Sequence, residues 1–201
     1  MLELGTNVDE ACISEDCRWL ADTSTGGVIR VWDLQSRNRS GEFTANARSV
    51  VPCEFMAQGS RLMIVHKNDN SLHEWDLKTW QETRSWRGAP GMSTRAFSRD
   101  GLWCLTSTIN ANNDSASSLI DLTNGREFNL DQEWYVAASF SPDDKLFALS
   151  GWGRDARLWE TATQRKVATL GGFLIPVYSV AFSPDSKRLT TGNTGKEAIK
   201  L

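Results

Sequence analysis

One pattern constrains this chain more than any other feature. A strand-like run, a short polar turn and a second strand-like run recur every 42 or 43 residues. The copies read ACISEDCRWLA, CEFMAQGSRLMI, RAFSRDGLWCL, ASFSPDDKLFAL and VAFSPDSKRLTT. Their apolar anchors, Ile13, Phe55, Phe97, Phe140 and Phe182, stand 42, 42, 43 and 42 residues apart. A second marker follows each of the first four: VWD at 31–33, EWD at 74–76, LID at 119–121 and LWE at 158–160. Two markers that keep one period along the chain define a repeat architecture.

Each unit has the chemistry of short strands. SPDD (141–144) and SPDS (183–186) place Pro at the second turn position, where its fixed φ suits a tight hairpin. Runs rich in Val, Ile, Leu, Phe, Trp and Thr lie between Gly, Asn, Asp and Ser clusters, and helical periodicity is nearly absent. Turns at DLTNG (121–125) and ETATQ (160–164) precede a fourth, more polar run. The expectation is an all-β chain with four antiparallel strands per unit, the units being about 1–33, 34–76, 77–121, 122–160 and 161–201. Such a sheet cannot bury both faces alone, so the units stack.

Phe-Ser-Pro-Asp at 140–143 and 182–185, with Val-Trp-Asp at 31–33 and Leu-Trp-Glu at 158–160, resembles the WD40 repeat family of β-propellers. The resemblance covers essentially the whole chain, and its regular FSPD units resemble the arrays common in bacteria. It implies four-stranded blades around a channel, about five of them here, in one domain spanning 1–201. Leu2-Glu3-Leu4-Gly5 resembles Ala168-Thr169-Leu170-Gly171, the end of a fourth strand, and TGNTGKEAIKL aligns with a third strand. From this offset the chain is expected to be a fragment, an incomplete arc of a larger propeller that self-associates through exposed terminal blades. A closed five-blade ring is the formal alternative. The family's Gly-His pair is missing from every repeat, so its buried Trp–Ser/Thr–His–Asp network cannot be complete in any blade. Unit three has Ile120 at its tryptophan position and a long polar hairpin, 107–118, and is expected to be the least regular.

Composition narrows the setting. Net charge is −3 with both signs dispersed, which argues against nucleic acid or an anionic membrane surface as partner. No apolar run reaches the ~20 residues of a membrane helix, and the N-terminus lacks the basic start and apolar stretch of a secretory signal. Cys12, Cys17, Cys53 and Cys104 form no CxxC pair and read as small apolar strand residues. A cytoplasmic protein is expected.

Local motifs add little chemistry. Gly151 to Ala156 matches the letters GxGxxA, but RLWE follows, a strand of the repeat rather than the helix a pyrophosphate site requires. His66 and His73 flank a hairpin with Asp69 at its tip, a conceivable metal set that reads better as surface histidines. Neither is flagged for a Ser–His–Asp triad, and no hydrolase elbow, HExxH or phosphate loop is present. Catalytic residues, metals and cofactors are therefore expected to be none.

Among the nine tryptophans, Trp32, Trp75 and Trp159 hold the repeat's own position and read as core. Trp19 and Trp103 read as packing between blades, and Trp80 and Trp86 as outer-strand residues. The resemblance places Trp134 at the lead-in to an inner strand and Trp152, with Arg154 beside it, on a hairpin of the same rim. Aromatic residues and Arg are enriched in binding hot spots, so Trp134, Trp152 and Arg154 are the candidate partner-binding residues. The expected function is a non-enzymatic scaffold presenting hairpins 66–71, 107–118, 150–155 and 191–197 to a peptide or protein. A propeller hydrolase such as a glycosidase is one alternative, disfavoured by the Ala, Val, Ser and Cys of the first strands. A sensor or regulatory arm of a larger signalling protein is another.

Overall fold

The computed structural model describes residues 8–24, 26–45, 50–56, 59–88, 92–109, 112, 114–133, 135–193 and 199–200. Nineteen strands and no helix occur among them, and the strands form five antiparallel sheets in simple sequential order. The first sheet joins β1 (Val8–Ile13), β2 (Trp19–Ser24), β3 (Val28–Asp33) and β4 (Asn38–Thr44). The second joins β5 (Val50–Met56), β6 (Arg61–His66), β7 (Leu72–Asp76) and β8 (Gln81–Trp86). The third comprises β9 (Met92–Phe97), β10 (Trp103–Ile109), β11 (Ser115–Asp121) and β12 (Arg126–Asp131). The fourth comprises β13 (Tyr135–Phe140), β14 (Leu146–Gly151), β15 (Ala156–Glu160) and β16 (Arg165–Leu170). The fifth has β17 (Ser179–Phe182), β18 (Leu189–Gly192) and β19 (Ile199–Lys200). Each of the first four sheets takes its fourth strand from beyond the tryptophan-position marker, so sheet and sequence repeat are out of phase by one strand.

Contacts group the chain into two units, Met1–Ala89 with two sheets and Pro90–Leu201 with three. Within the first, Ala21, Ile29, Val31 and Phe43 of one sheet pack on Val50, Phe55, Leu62 and Ile64 of the next. Phe43 stacks on Trp75 with centroids 4.0 Å apart. Within the second, Leu105 and Leu119 meet Tyr135, Phe147, Leu149 and Trp159, while Ala148 and Ala156 meet Phe173, Val177 and Val180. Second strands such as β14 are buried along nearly their whole length, whereas fourth strands such as β16 are mostly exposed. That follows from composition: LFALSG is apolar on both faces, and RKVATL is not. Each large apolar side chain so buried contributes about 1.5–3 kcal/mol.

The repeat marker is a turn with one hydrogen-bond pattern. The N–H of Cys17, Gly59, Gly101, Asp144 and Ser186 donates to the carbonyl three residues earlier in all five copies. These five residues all have positive φ, 56° to 81°, so glycine fits at two of them and the other three accept some strain. In four copies a serine hydroxyl at the turn's first position donates to the aspartate two residues on: Ser14, Ser98, Ser141 and Ser183. Asp144 also reaches its neighbour, its carboxylate accepting from the N–H groups of Arg99 (2.8 Å) and Asp100 (2.9 Å) in the previous sheet's turn. The acid after the tryptophan serves a second turn. Asp33 accepts from Gln35 and Ser36 N–H, and Asp76 from Lys78 and Thr79 N–H. Those bonds, led by Ser36 and Thr79, hold both carboxyls below the usual range.

Two expectations are corrected here. The third sheet is no less regular than the fourth: each has one register shift in its first and last strand pairs, and β10 and β11 pair over seven residues without one, from Trp103 with Asp121 to Ile109 with Ser115. Serine hydroxyls make that polar pair tenable, Ser107 bonding Ser117 at 3.1 Å and Ser117 donating to the Glu133 carbonyl at 2.9 Å. Cys17 is not a buried apolar residue either, because its turn position leaves it exposed. Cys104 is buried, and Cys12 is half-buried, its thiol pushed up to about 12 by burial and the charge of Glu54.

The tryptophan network is replaced in one sheet and absent in two. Trp32 Nε1 donates to Asp22, a fully buried acid that also accepts from Arg30 Nε at 2.7 Å. Trp75 and Trp159 Nε1 have no hydrogen-bond partner among the described residues.

Candidate functional site

The candidate rim residues fall in the Pro90–Leu201 unit, and the structure treats them differently. Trp134 lies outside the described residues. Trp152 is 64% exposed, on the turn between β14 and β15. That turn also contains Arg154, which is exposed. Gly151 to Ala156 thus joins two strands, and the GxGxxA letters have no helix N-terminus with which to hold a phosphate.

An exposed indole on a short turn would be mobile without support. Here Tyr178, leading into β17, meets Trp152 edge-on with centroids 5.8 Å apart at 88°, a favoured aromatic geometry. Tyr178 is itself tethered through its N–H to Gly192 O at 2.9 Å. The same link carries Leu174, 72% exposed, between the buried anchors Phe173 and Val177. The link sequence GGFLIPVY therefore alternates between gripping the core and presenting apolar surface.

Below the turn lies a charged network that composition gives no hint of. Arg157 on β15 binds Asp131 (2.8 Å), the Tyr135 hydroxyl (2.9 Å), Glu133 (3.1 Å) and Asp155 (3.2 Å). Tyr135 in turn donates to Asp131 at 2.6 Å. Asp131 closes the third sheet's outer strand and Tyr135 opens the fourth sheet's inner strand, so one guanidinium ties two sheets to the base of the Trp152 turn. Burial, then the bond to Asp131, raises the Tyr135 pKa. Burial acts to lower that of Arg157, but Asp131, Tyr135 and Asp155 outweigh it and the net direction is upward. Both groups keep their protons at any physiological pH. The missed residues left one trace in the sequence: both tyrosines of the chain stand at the start of an inner strand.

The histidine hairpin of the Met1–Ala89 unit also departs from expectation. His66 and His73 are not surface residues; their rings stack with centroids 3.6 Å apart at 18°, and His66 is 8% exposed. They share one face of the sheet because the register sets His73 opposite Ile64, two residues before His66. Ser71 Oγ lies 2.8 Å from His73 Nε2, and His73 Nδ1 lies 3.0 Å from Glu82, within ion-pair reach but outside hydrogen-bonding geometry. The order Ser71, His73, Glu82 has the outline of a hydrolase triad. Its chemistry differs. The Ser71 hydroxyl donates its hydrogen bond to Asp69 Oδ1 at 2.6 Å rather than to an activating imidazole, and Ser71 is buried. Parallel rings also cannot converge their nitrogens on one ion, and among the described residues no three His, Cys, Asp or Glu side chains are placed to hold a metal. Burial, then the neighbouring His73, lowers the His66 pKa.

Comparison with known proteins bears on the same repeat. The family model "WD domain, G-beta repeat" matches residues 164–197. The target of rapamycin complex subunit LST8 of Bos taurus is 23% identical over 78% of this chain and 50% of its own length. WD repeat-containing protein 82 of Drosophila melanogaster is 27% identical over 91% of this chain and 60% of its own. These likenesses and the sheets fit the WD40 repeat family. The four-stranded antiparallel sheets have the form of its propeller blades, without the Gly-His pair. Periodic tryptophan protein 2 of Arabidopsis thaliana, 23% identical over 93% of this chain, is much longer. The chain spans half of LST8 and about a fifth of the plant protein.

Proposed function

We propose that this chain is a non-enzymatic scaffold that binds a peptide or protein partner on the rim around Trp152. The observation that carries the reading is Trp152 itself, a 64%-exposed indole braced edge-on by Tyr178 on a turn pinned from below by Arg157. A rigid, partly desolvated aromatic loses little entropy on binding, which is why such residues dominate interfaces. Arg154 on the same turn adds a charged donor set. The relation to LST8, named as a subunit of a complex, supports the reading.

The test compares what tagged wild type, Trp152→Ala and Val167→Ser retain from the source cells. Val167 is a second exposed apolar residue, 53% exposed on β16. A defined partner that Trp152→Ala loses and Val167→Ser keeps supports the proposal. The same partner set on all three refutes it.

A further inference from the structure

The Met1–Ala89 unit contains a cleft of about 230 Å³ between its two sheets. Two indoles wall it, Trp19 at the start of β2 and Trp80 in the turn after β7. Each is seated against a glycine: a Cβ at Gly59 would overlap Trp19, and a Cβ at Gly41 would overlap the Trp80 ring. Gly59 also answers to its turn, with φ +81°. Gly41 has no positive φ, so the room it leaves for Trp80 is the reason a side chain is excluded there. Two cations, Arg18 and Lys78, line the cleft, and among the described residues no acidic one does. The Arg18 guanidinium lies over the Trp19 ring at 4.8 Å, and its ion pair with Asp33 is long, 3.4 Å, with the side chain 51% exposed. Most of its donors therefore face solvent at the cleft.

We propose that this cleft binds a peptide presenting one aromatic side chain beside an acidic residue. The volume is below the ~300 Å³ of drug-sized pockets, which suits a single side chain. Indole faces favour an aromatic occupant in offset or edge-on contact, and a carboxylate next to it would meet Arg18 and Lys78 in charge-assisted bonds. The site belongs to the unit without Trp152 and is independent of the rim proposal.

The experiment titrates the full chain with N-acetyl-Asp-Phe-amide while following the indole N–H signals of Trp19 and Trp80 by NMR. Saturable shifts at these two indoles are expected. N-acetyl-Asn-Phe-amide should bind about tenfold more weakly, the value of one hydrogen bond to a charged group, and N-acetyl-Asp-Ala-amide should not saturate. Arg18→Gln should narrow the gap between the Asp and Asn peptides without closing it, because Lys78 still meets the carboxylate. Gly41→Ala pushes Trp80 into the cleft and should abolish binding. Ser40→Leu, on the exposed strand lining the cleft, fills it without that clash and covers the case in which Gly41→Ala fails to fold. Equal binding of the Asp and Asn peptides, or an absence of shifts at Trp19 and Trp80, overturns the proposal. So does a dimer in light scattering that Ser40→Leu dissolves, since a second copy would then be the occupant.

Discussion

Two turns occupy the same slot of the repeat, between second and third strands, and they are built on opposite plans. The turn of the second sheet turns its rings inward: His66 and His73 stack, Ser71 bonds Asp69, and the tip is left to Lys67, Asn68 and Asp69. The turn of the fourth sheet keeps its charge underneath, on Arg157, and turns its indole outward. One slot can thus be a closed polar plug or an open apolar platform. Position in the repeat does not by itself assign a binding role; the direction of the largest side chain does. The two plans also differ in what holds them. Burial and the neighbouring ring lower the His66 pKa, whereas the carboxylates around Arg157 raise that of its guanidinium.

The sharpest way to break this contrast is to remove Arg157. Arg157→Ala leaves Asp131, Glu133 and Asp155 facing one another with no cation and Asp131 largely enclosed. Loss of the cation from this half-buried network should cost about 2–3 kcal/mol, at or below the low end for a buried pair, and thermal denaturation should show it as the largest fall of any single change described here. Arg157→Lys keeps the charge but cannot reach four acceptors at once, so it should recover only part of the loss. A stability within 0.5 kcal/mol of wild type for Arg157→Ala would mean that the network does not hold the rim.

Asp144 gives the next effect. Asp144→Ala loses two hydrogen bonds to the Arg99 and Asp100 amides and keeps an unfavourable positive φ, at an expected cost of about 1–2 kcal/mol. Asp144→Asn should lie between the two, because Asn tolerates the backbone and retains one acceptor. This residue also marks how far the sequence could be read. The period, the turn at Ser-Pro-Asp and the strand count were legible, because turn chemistry and alternation are local. The reach of Asp144 into the previous turn was not, since nothing in DDK distinguishes a solvated acid from one that receives two N–H groups across a sheet interface. Arg157 was hidden for the same reason, three of its four partners lying in the distant stretch 131–135. The exposure of Trp152 was legible from its place on the hairpin that the repeat sets between second and third strands. The histidines misled because a polar tip, KNDNS, says nothing about the direction of the residues that flank it.

Smaller still is the pH response, and it separates the two turns. The His66 pKa is lowered in the folded chain, by burial first and by His73 second, so folding favours the neutral ring. Its contribution to stability is therefore complete above the ordinary value of about 6.5 and is lost as pH falls below it, where the unfolded chain takes up the proton more readily. Hydrogen-exchange protection of the 66–72 amides should decline between pH 7.5 and pH 5.5 while that of 152–157 holds. His66→Phe, which keeps a stacking ring without a titratable nitrogen, should remove the difference. Unchanged protection at 66–72 in wild type would show that the stack does not govern this hairpin.

Trp152→Ala should have the least effect on stability and the most on binding. The indole touches Tyr178 but buries little, so truncation should move the folding free energy by no more than about 0.5 kcal/mol. Binding energy concentrates in residues of this kind, and truncating a central one typically costs 2 kcal/mol or more, roughly thirtyfold in affinity. A residue that mattered for packing would show the reverse ratio. Measuring both quantities on one variant thus distinguishes an anchor for a partner from a side chain resting on its own blade. A loss of stability comparable to that of Asp144→Ala, with binding intact, would move Trp152 into the second class and leave the fourth sheet's turn with the same closed role as the second's.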